Sequence, residues 1–173
     1  MQPRDSLRYV DPDKHRGVLY RAWARSVATP FGFWLSRHIA WKVDPYLLHL
    51  TGGRIGTGLI IPTLLIETVG AKSGVPRRNG VIYFHDGDRL ILVASNAGRP
   101  WHPSWFHNAR ANPEVQLNGR PFYAEVVEGE VDRARLWEMG DRVFPPFARY
   151  RESAAKADRT IPILRLSAAD EGE

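Results

Sequence analysis

The chain has 173 residues, of which 43% are hydrophobic and 25% charged, as is typical of a globular protein with one sizeable domain. It contains no cysteine, which excludes disulfides, thiolate metal sites and cysteine nucleophiles. The first 16 residues are charged and lack the apolar stretch of a signal peptide. No apolar run approaches the roughly 18–20 residues of a membrane-spanning helix. We therefore expect a cytoplasmic protein.

The net charge of +5 is concentrated in the N-terminal third of the chain. Residues 1–54 hold nine Lys and Arg against four Asp, whereas residues 55–173 hold fifteen residues of each sign. A basic segment of this kind usually meets an anionic surface, either nucleic acid or lipid headgroups. Four glycines between Gly52 and Pro62 indicate a linker over 52–62. We therefore predict a helical N-terminal segment over 1–54 and a main domain over 55–173.

Residues 17–50 are predicted to form amphipathic helices. Leu19, Trp23 and Val27 recur at helical spacing on one face, and arginines lie on another. Aromatic residues interleaved with cations suit a bilayer interface better than nucleic acid. We therefore predict an anionic membrane surface, and no nucleic acid, as a partner of this segment. Packing against the main domain or a second subunit is the alternative.

The main domain is predicted to consist mostly of short strands. The predicted strands cover residues 63–69, 81–84, 90–94, 115–117, 122–130 and 160–166. Asp86-Gly87-Asp88 and Asn118-Gly119 are predicted hairpin turns. Helices are predicted over 103–111, with Ser104 as a candidate N-cap, and over 132–143. This order of elements predicts an α+β fold built on a small antiparallel β-barrel.

A basic turn bracketed by glycines lies at residues 70–79. Gly70 and Gly74 permit a tight turn whose backbone N–H groups can converge on an anion. The polar and basic side chains that accompany them are Lys72, Ser73, Arg77, Arg78 and Asn79. Arginine binds phosphate or carboxylate bidentately, so the turn is a candidate site for a phosphate-bearing ligand. An exposed basic hairpin turn without a ligand is the alternative.

A second candidate site follows at residues 94–108. The strand predicted before it ends in Ser95 and Asn96, whose side chains can bond the heteroatoms of a ring. Trp105 and Phe106, in the short helix that follows, can either stack on that ring or pack in the core beneath the loop. His102 and a second histidine five residues later have no acidic neighbour close in sequence, so we predict no metal site.

An aromatic stretch at residues 143–150 is the third candidate. Phe144, Phe147 and Tyr150 are predicted to line an apolar ligand pocket, on a loop stiffened by Pro145 and Pro146. Packing of this loop on the core is the alternative.

Three segments together resemble the deazaflavin-dependent nitroreductases and quinone reductases of actinobacteria. They are TVGAKSGVPRRNG, VASNAGRPWHPSWFHNARANPEVQLNG and DRTIPILRL, in the family's order and spacing between about residue 50 and residue 166. The basic, aromatic helices that end in LTGGR are similar to the membrane-associating branch of that family. The resemblance implies a split β-barrel of the FMN-binding type that binds coenzyme F420, a 5-deazaflavin with a phospholactyl-oligoglutamate tail. FMN is the second candidate coenzyme.

The resemblance also assigns residues to the coenzyme. Those implied to hold the phosphate and tail are Lys72, Ser73, Gly74, Arg77 and Asn79, with Arg78 beside them. Those implied to lie along the deazaflavin ring are Ser95, Asn96, Ala97 and Gly98, with Pro103, Trp105, Phe106 and Asn108 on its helix side. The family commonly has lysine at position 96, so Asn96 lacks one expected charge contact.

The implied activity is that of an enzyme, a reductase that passes a hydride from reduced F420 to a quinone or another electron-poor acceptor such as a nitroaromatic compound. Ser95 and Tyr150 are the candidate catalytic residues, because a hydroxyl can meet the negative charge that develops on the acceptor. Relatives that activate nitroaromatic drugs carry tyrosines near the aromatic stretch, where this chain has Phe144 and Phe147. Phenylalanine keeps the apolar wall but lacks the hydroxyl, so we expect quinones to be the better acceptors.

Two further expectations remain open. The alternative function is a non-catalytic split-barrel module that binds the deazaflavin, a flavin or a fatty-acid-like ligand. If residues 17–50 do bind lipid, the protein lies peripherally on the inner face of the cell membrane.

Overall fold

The computed structural model describes residues 7–14 and 61–169, together with residues 17, 18, 20, 22, 26, 29 and 32. Its strands are β1 (Thr63–Val69), β2 (Pro76–Asp86), β3 (Arg89–Val93), β4 (Glu114–Leu117), β5 (Arg120–Val126) and β6 (Ile163–Ala168). Its α-helices are α1 (Ser104–Ala111), α2 (Glu130–Val143) and α3 (Phe147–Ala155), and one turn of 3-10 helix covers Asn96–Gly98.

The six strands form a closed antiparallel barrel in the order β1-β2-β3-β6-β5-β4. The barrel closes where β1 meets β4, with Ile66 opposite Leu117. Asn118 extends this contact, because its backbone N–H donates to the Leu65 carbonyl at 2.9 Å and its side-chain oxygen accepts the Leu65 N–H at 2.9 Å. The predicted antiparallel α+β barrel is confirmed.

Alternation of apolar residues places one face of each strand in the barrel interior. In β1 every second residue is buried from Leu64 to Thr68, as a strand period of two requires. The largest fully buried side chains include Leu64, Phe84, Leu92, Leu117 and Ile163, which come from five different strands. Burial of each such side chain stabilises the fold by about 1.5–3 kcal/mol, so this shared core holds the barrel together.

The two predicted hairpin turns are present. Asn118 and Gly119 both have positive φ angles, 48° and 83°, as the two central residues of a type I′ turn require. Gly87 has a φ of 63° between β2 and β3, whose last paired residues are Asp86 and Arg89. Glycine and asparagine adopt this left-handed conformation at the least cost, which is why these short sequences predicted turns.

Several boundaries predicted from the sequence are wrong. The strand predicted over 81–84 covers Pro76–Asp86, and the strand predicted over 160–166 covers Ile163–Ala168. The strand predicted over 122–130 ends at Val126, because Gly129 has a φ of 89° and Glu130 begins α2. The acidic first turn of α2 favours a helix start, since carboxylates there interact well with the helix dipole. The N-cap of α1 is Pro103 rather than Ser104, and no side chain caps this helix.

The aromatic stretch predicted as a loop contains a helix. Pro145 and Pro146 precede α3, and Phe147 begins it. The backbone N–H groups in the first turn of a helix have no partner within the helix, so proline, which has no N–H, is well tolerated there. Pro145 and Pro146 therefore mark the start of a helix and not a continuous loop.

The first described residues pack on the barrel. The Val10 N–H donates to Nδ1 of His85 at 3.0 Å, and the His85 N–H donates back to the Val10 carbonyl at 3.0 Å. The Tyr83 hydroxyl donates to the Arg8 carbonyl at 2.8 Å. Residues 8–10 of the predicted N-terminal segment therefore lie along β2.

The predicted helices over 17–50 fall almost wholly outside the described residues, and so does the predicted linker over 52–62, of which only residues 61 and 62 are described. Of the residues that are described between 17 and 32, positions 18, 20, 22, 26 and 32 are helical. No helix in the described part of the chain is long and apolar enough to cross a membrane.

Candidate coenzyme site

The basic turn is shorter than predicted: residues 70–75 join β1 to β2, whereas residues 76–79, which include Arg77, Arg78 and Asn79, form the start of β2. The Gly70 N–H donates to the Val75 carbonyl at 3.0 Å, and the Gly74 N–H donates to the Gly70 carbonyl at 2.8 Å. A Cβ at Gly70 would lie 2.5 Å from Oγ of Ser73, whereas a Cβ at Gly74 would meet nothing within 4 Å. Gly74 has a φ of 66°. Gly70 is therefore needed for close packing, and Gly74 for its backbone conformation.

The strand register separates the cationic residues of this turn. Arg77 lies opposite Thr68, whose side chain is buried, whereas Arg78 lies opposite Glu67 on the outer face of the barrel. Arg78 forms an ion pair with Glu67. Within the described residues, neither Lys72 nor Arg77 has a carboxylate partner, although both are exposed. These two cations are therefore available to an anion.

Asn108 joins α1 to the basic turn. Its side-chain oxygen accepts the Ala71 N–H at 3.0 Å, and its side-chain N–H donates to the Thr68 hydroxyl at 3.1 Å. Asn108 is buried, so both halves of its amide are used within the protein. Asn108, which was predicted to lie beside the coenzyme, therefore holds the turn against α1.

The loop between β3 and α1 has an unusual backbone. Asn96, Ala97 and Gly98 have φ angles of 48°, 50° and 68°. The Asn96 side chain donates to the Trp101 carbonyl at 2.9 Å, which ties the two ends of the loop together. A Cβ at Gly98 would lie 2.9 Å from the Tyr150 carbonyl oxygen, so only glycine allows this loop to approach α3 so closely.

Arg159, which was not among the predicted site residues, binds the backbone of this loop. It is only 7% exposed and donates to the backbone carbonyls of Ala94, Ser95 and Arg99. Its Nε–H donates to Nδ1 of His102 at 3.0 Å. No carboxylate among the described residues pairs with it. The only sequence signal was its place in the DRTIPILRL segment.

His102 is therefore neutral, since its Nδ1 accepts a hydrogen bond. Burial, together with the nearby charges of Arg159, His107 and Arg110, lowers the pKa of His102 below its usual value. The rings of His102 and His107 are 5.7 Å apart between centroids. Across residues 7–14 and 61–169, no group of three His, Asp or Glu side chains is arranged to hold a metal ion.

The aromatic residues predicted to face ligands are buried. Trp105 and Phe106 are about 5% and 4% exposed and belong to the hydrophobic core. Phe144, Phe147 and Tyr150 pack on one another, with ring centroids 4.9 Å apart for the two phenylalanines. All five side chains therefore pack in the hydrophobic core.

The sequence-predicted residues form two connected groups. The basic turn meets α1 through Asn108, and the loop at 95–98 meets α3 through Gly98. The loop leads directly into α1, so one continuous stretch of chain connects both groups.

Comparison with known proteins identifies the family of this chain. A family model described as F420H(2)-dependent quinone reductase matches residues 43–167. The chain belongs to this family. An F420H(2)-dependent quinone reductase of Mycobacterium tuberculosis is 35% identical over 144 residues, which cover 78% of this chain and 95% of the relative.

Solved structures of relatives agree with this membership. A structure of an F420-H2 dependent reductase (FDR-A) is 34% identical and covers 61% of this chain and 94% of its own, with a TM-score of 0.52. A domain-swapped dimer is 30% identical and covers 70% of this chain and 92% of its own, with a TM-score of 0.54. The expected split-barrel family, its oxidoreductase class and its coenzyme F420 are confirmed.

The residues of the basic turn fit the acidic tail of this coenzyme. Lys72 and Arg77 present two positive charges that no described carboxylate neutralises, and Gly74 leaves the space beside its Cα open. Phosphate and carboxylate groups are the ligands that such cations bind best.

Proposed function

We propose that this member of the family transfers a hydride from reduced F420 to a quinone at the site formed by the basic turn and the loop at 95–98. The observation that carries the proposal is the pair of unneutralised cations, Lys72 and Arg77, on a turn fixed to α1 by Asn108. The tail of the coenzyme would supply the negative charge that these two cations lack as a partner. The turn contacts α1 through Asn108, and α1 directly follows the loop in the chain.

The tail is assigned to the side of the turn that carries Arg77. Lys72 and Arg77 would hold its phosphate and carboxylates, and Ser73 and the half-buried Asn79 would add neutral donors. Arg78 is assigned a structural role on the outer face, because Glu67 already neutralises it.

The ring is assigned to the loop at 95–98. When bound, reduced F420 supplies the hydride, and the protein supplies orientation and a preorganised polar environment. Arg159 fixes three carbonyls of the loop, so the loop does not need to reorganise when the ligand binds. Ser95 is half-buried, and we propose that its hydroxyl stabilises the negative charge that develops on the acceptor. Tyr150, which is 4% exposed, is assigned to the support of the loop through α3.

Direct measurement of coenzyme affinity tests the tail assignment. Arg77→Ala removes a charge-assisted hydrogen bond worth about 1.5–3 kcal/mol and should raise the Kd for F420 about tenfold or more. Arg78→Ala should have a much smaller effect. Arg89→Ala, at the start of β3 and so at the opposite end of the β2–β3 hairpin, controls for the loss of one positive charge. Equal effects of Arg77→Ala and Arg89→Ala would reject the tail assignment. Binding of FMN with no detectable binding of F420 would reject the proposed function.

Turnover separates the enzyme from a non-catalytic binding module. Oxidation of reduced F420 with menadione as acceptor should be catalytic, with many turnovers for each protein molecule. Binding of the coenzyme without turnover would instead favour the module. A parallel assay with a nitroimidazole tests the acceptor preference, for which we propose quinones.

We also propose that the N-terminal segment brings the protein to the inner face of the cell membrane. Support comes from its composition, in which tryptophan and phenylalanine are interleaved with lysine and arginine. The full-length protein should co-sediment with vesicles that contain anionic lipid, and Arg21→Glu with Arg25→Glu should release it. Unchanged sedimentation of this double variant, or binding equal to neutral vesicles, would reject the proposal.

A further inference from the structure

Arg159 and His102 form a hydrogen-bonded pair, with Nε of Arg159 3.0 Å from Nδ1 of His102. Arginine has five N–H donors and no acceptor, and it stays protonated in proteins. Its Nε–H can donate to His102 only if Nδ1 of the imidazole carries no proton. The proton of the neutral imidazole must then lie on Nε2.

The Nε2–H group of His102 is free to meet a ligand. His102 is half-buried, in the loop that leads to α1. Among the described residues Nε2 makes no hydrogen bond, whereas Nδ1 is bonded at 3.0 Å. A donor in this position, held by a buried partner, is oriented before any ligand arrives.

We propose that His102 is a neutral hydrogen-bond donor of the coenzyme site, and that Arg159 is the positioning residue that fixes its proton on Nε2. The group that it recognises is a carbonyl oxygen, which both the deazaflavin ring and a quinone carry. The inference deepens the proposed function and rests on it for the identity of the ligand, but not for the state of the imidazole.

The charges around His102 favour the neutral form. Among the described residues, the ionisable groups that face it are Arg159 and, from α1, His107 and Arg110, and none of these three is acidic. A neutral imidazole can stabilise negative charge by donating a hydrogen bond, as a polarising group. It is not the proton source, since the imidazolate that would remain is too basic. Two-electron reduction of a quinone to the hydroquinone then takes the hydride from reduced F420 and the proton from solvent.

The state of the imidazole can be measured in the free protein. Heteronuclear NMR of the side-chain nitrogens should show His102 protonated on Nε2 alone, with a pKa below the usual value for histidine. Arg159→Lys keeps the buried charge and should keep part of this tautomer preference, whereas Arg159→Met should lose it. A proton on Nδ1, or an ordinary titration of His102 in the wild-type protein, would overturn the inference regardless of whether F420 binds.

Two substitutions of His102 separate its nitrogens. His102→Asn keeps an acceptor near the position of Nδ1 but removes the Nε2–H donor, whereas His102→Gln places an amide donor near Nε2. We expect His102→Asn to lower kcat/KM about tenfold or more, the scale of a lost oxyanion donor, and His102→Gln to recover part of it. His107→Asn, on the exposed side of α1, is the matched control and should change little.

The two possible carbonyl partners give different results. If the coenzyme carbonyl is recognised, His102→Asn raises the Kd for F420 in the absence of an acceptor. If the quinone carbonyl is recognised, that Kd is unchanged, and kcat or the KM for menadione changes instead. If folded His102→Asn kept the wild-type Kd for F420, kcat and KM for menadione, the proposed role of His102 would be overturned. Failure of the wild-type protein to bind F420 would instead reject the proposed function and leave the NMR result standing.

Discussion

The side-chain oxygen of Asn108, on α1, accepts the backbone N–H of Ala71 in the basic turn at 3.0 Å. These residues are 37 positions apart, and their contact places the cations of the turn next to the helix that follows the coenzyme loop. The same amide donates to Thr68, so the turn is fixed at its first residues and not only by its own hydrogen bonds.

Asn108→Ala should therefore affect both stability and binding. It leaves the buried Thr68 hydroxyl and the Ala71 N–H without partners, at a cost of about 1–3 kcal/mol. Chemical denaturation should show this loss of free energy of unfolding, and the Kd for F420 should rise because the turn is no longer held. Asn112→Ala is the control, since its exposed amide makes only a 3.5 Å contact with the Val69 carbonyl. Equal effects of the two substitutions would contradict this interpretation of Asn108.

Gly98→Ala should be more damaging than Gly87→Ala. Both glycines have positive φ angles, 68° and 63°, which cost an alanine about 1–2 kcal/mol. At Gly87 a Cβ meets nothing within 4 Å, whereas at Gly98 it would lie 2.9 Å from Ser153 Cβ and from the Tyr150 carbonyl oxygen. The difference in Tm between the two variants therefore measures the cost of the steric contacts that a Cβ makes at position 98. A Tm for Gly98→Ala that equals or exceeds that for Gly87→Ala would show that the loop can move away from α3.

His85 should make the packing of residues 8–10 depend on pH. Burial lowers the pKa of His85 below its usual value of 6.5, and Nδ1 must be unprotonated to accept the Val10 N–H. Because the folded-state pKa is the lower one, this contribution to stability is complete above about pH 6.5 and is lost as the pH falls through the folded-state pKa. Amide exchange at Val10 should therefore accelerate from about pH 7 to about pH 5, once corrected for its intrinsic pH dependence.

His85→Asn provides the comparison for this effect. Its side-chain oxygen can accept the Val10 N–H and does not titrate, so the acceleration should disappear. His102 also has a lowered pKa, and its titration in the same range contributes equally to both proteins. A corrected exchange profile that is the same with and without His85 would assign the pH dependence to another group.

The sequence predicted the barrel well because its strands carry local signals. The alternation in Thr63–Val69 and the Asn118-Gly119 turn depend on neighbouring residues alone. The start of α3 was missed because Pro145 and Pro146 are equally compatible with a loop, and burial of Phe147 against the core decides between them.

The site was predicted less completely, because its decisive contacts join distant residues. Arg77 and Arg78 are adjacent in sequence, and only the register with β1 gives Arg78 its ion pair with Glu67. Arg159 lies 57 residues from His102, and no local pattern distinguishes it from a surface arginine. Its burial against four acceptors is a property of the folded chain alone.

Closure of the barrel between β1 and β4 limits how two copies of this protein can associate. Each of the six strands has a neighbour on both sides, so no described strand offers a free row of N–H and carbonyl groups to a second molecule. Opening of the barrel between β1 and β4 would separate Asn118 from Leu65, with the loss of two hydrogen bonds. Association that leaves the barrel intact must use its faces, its helices or the N-terminal segment.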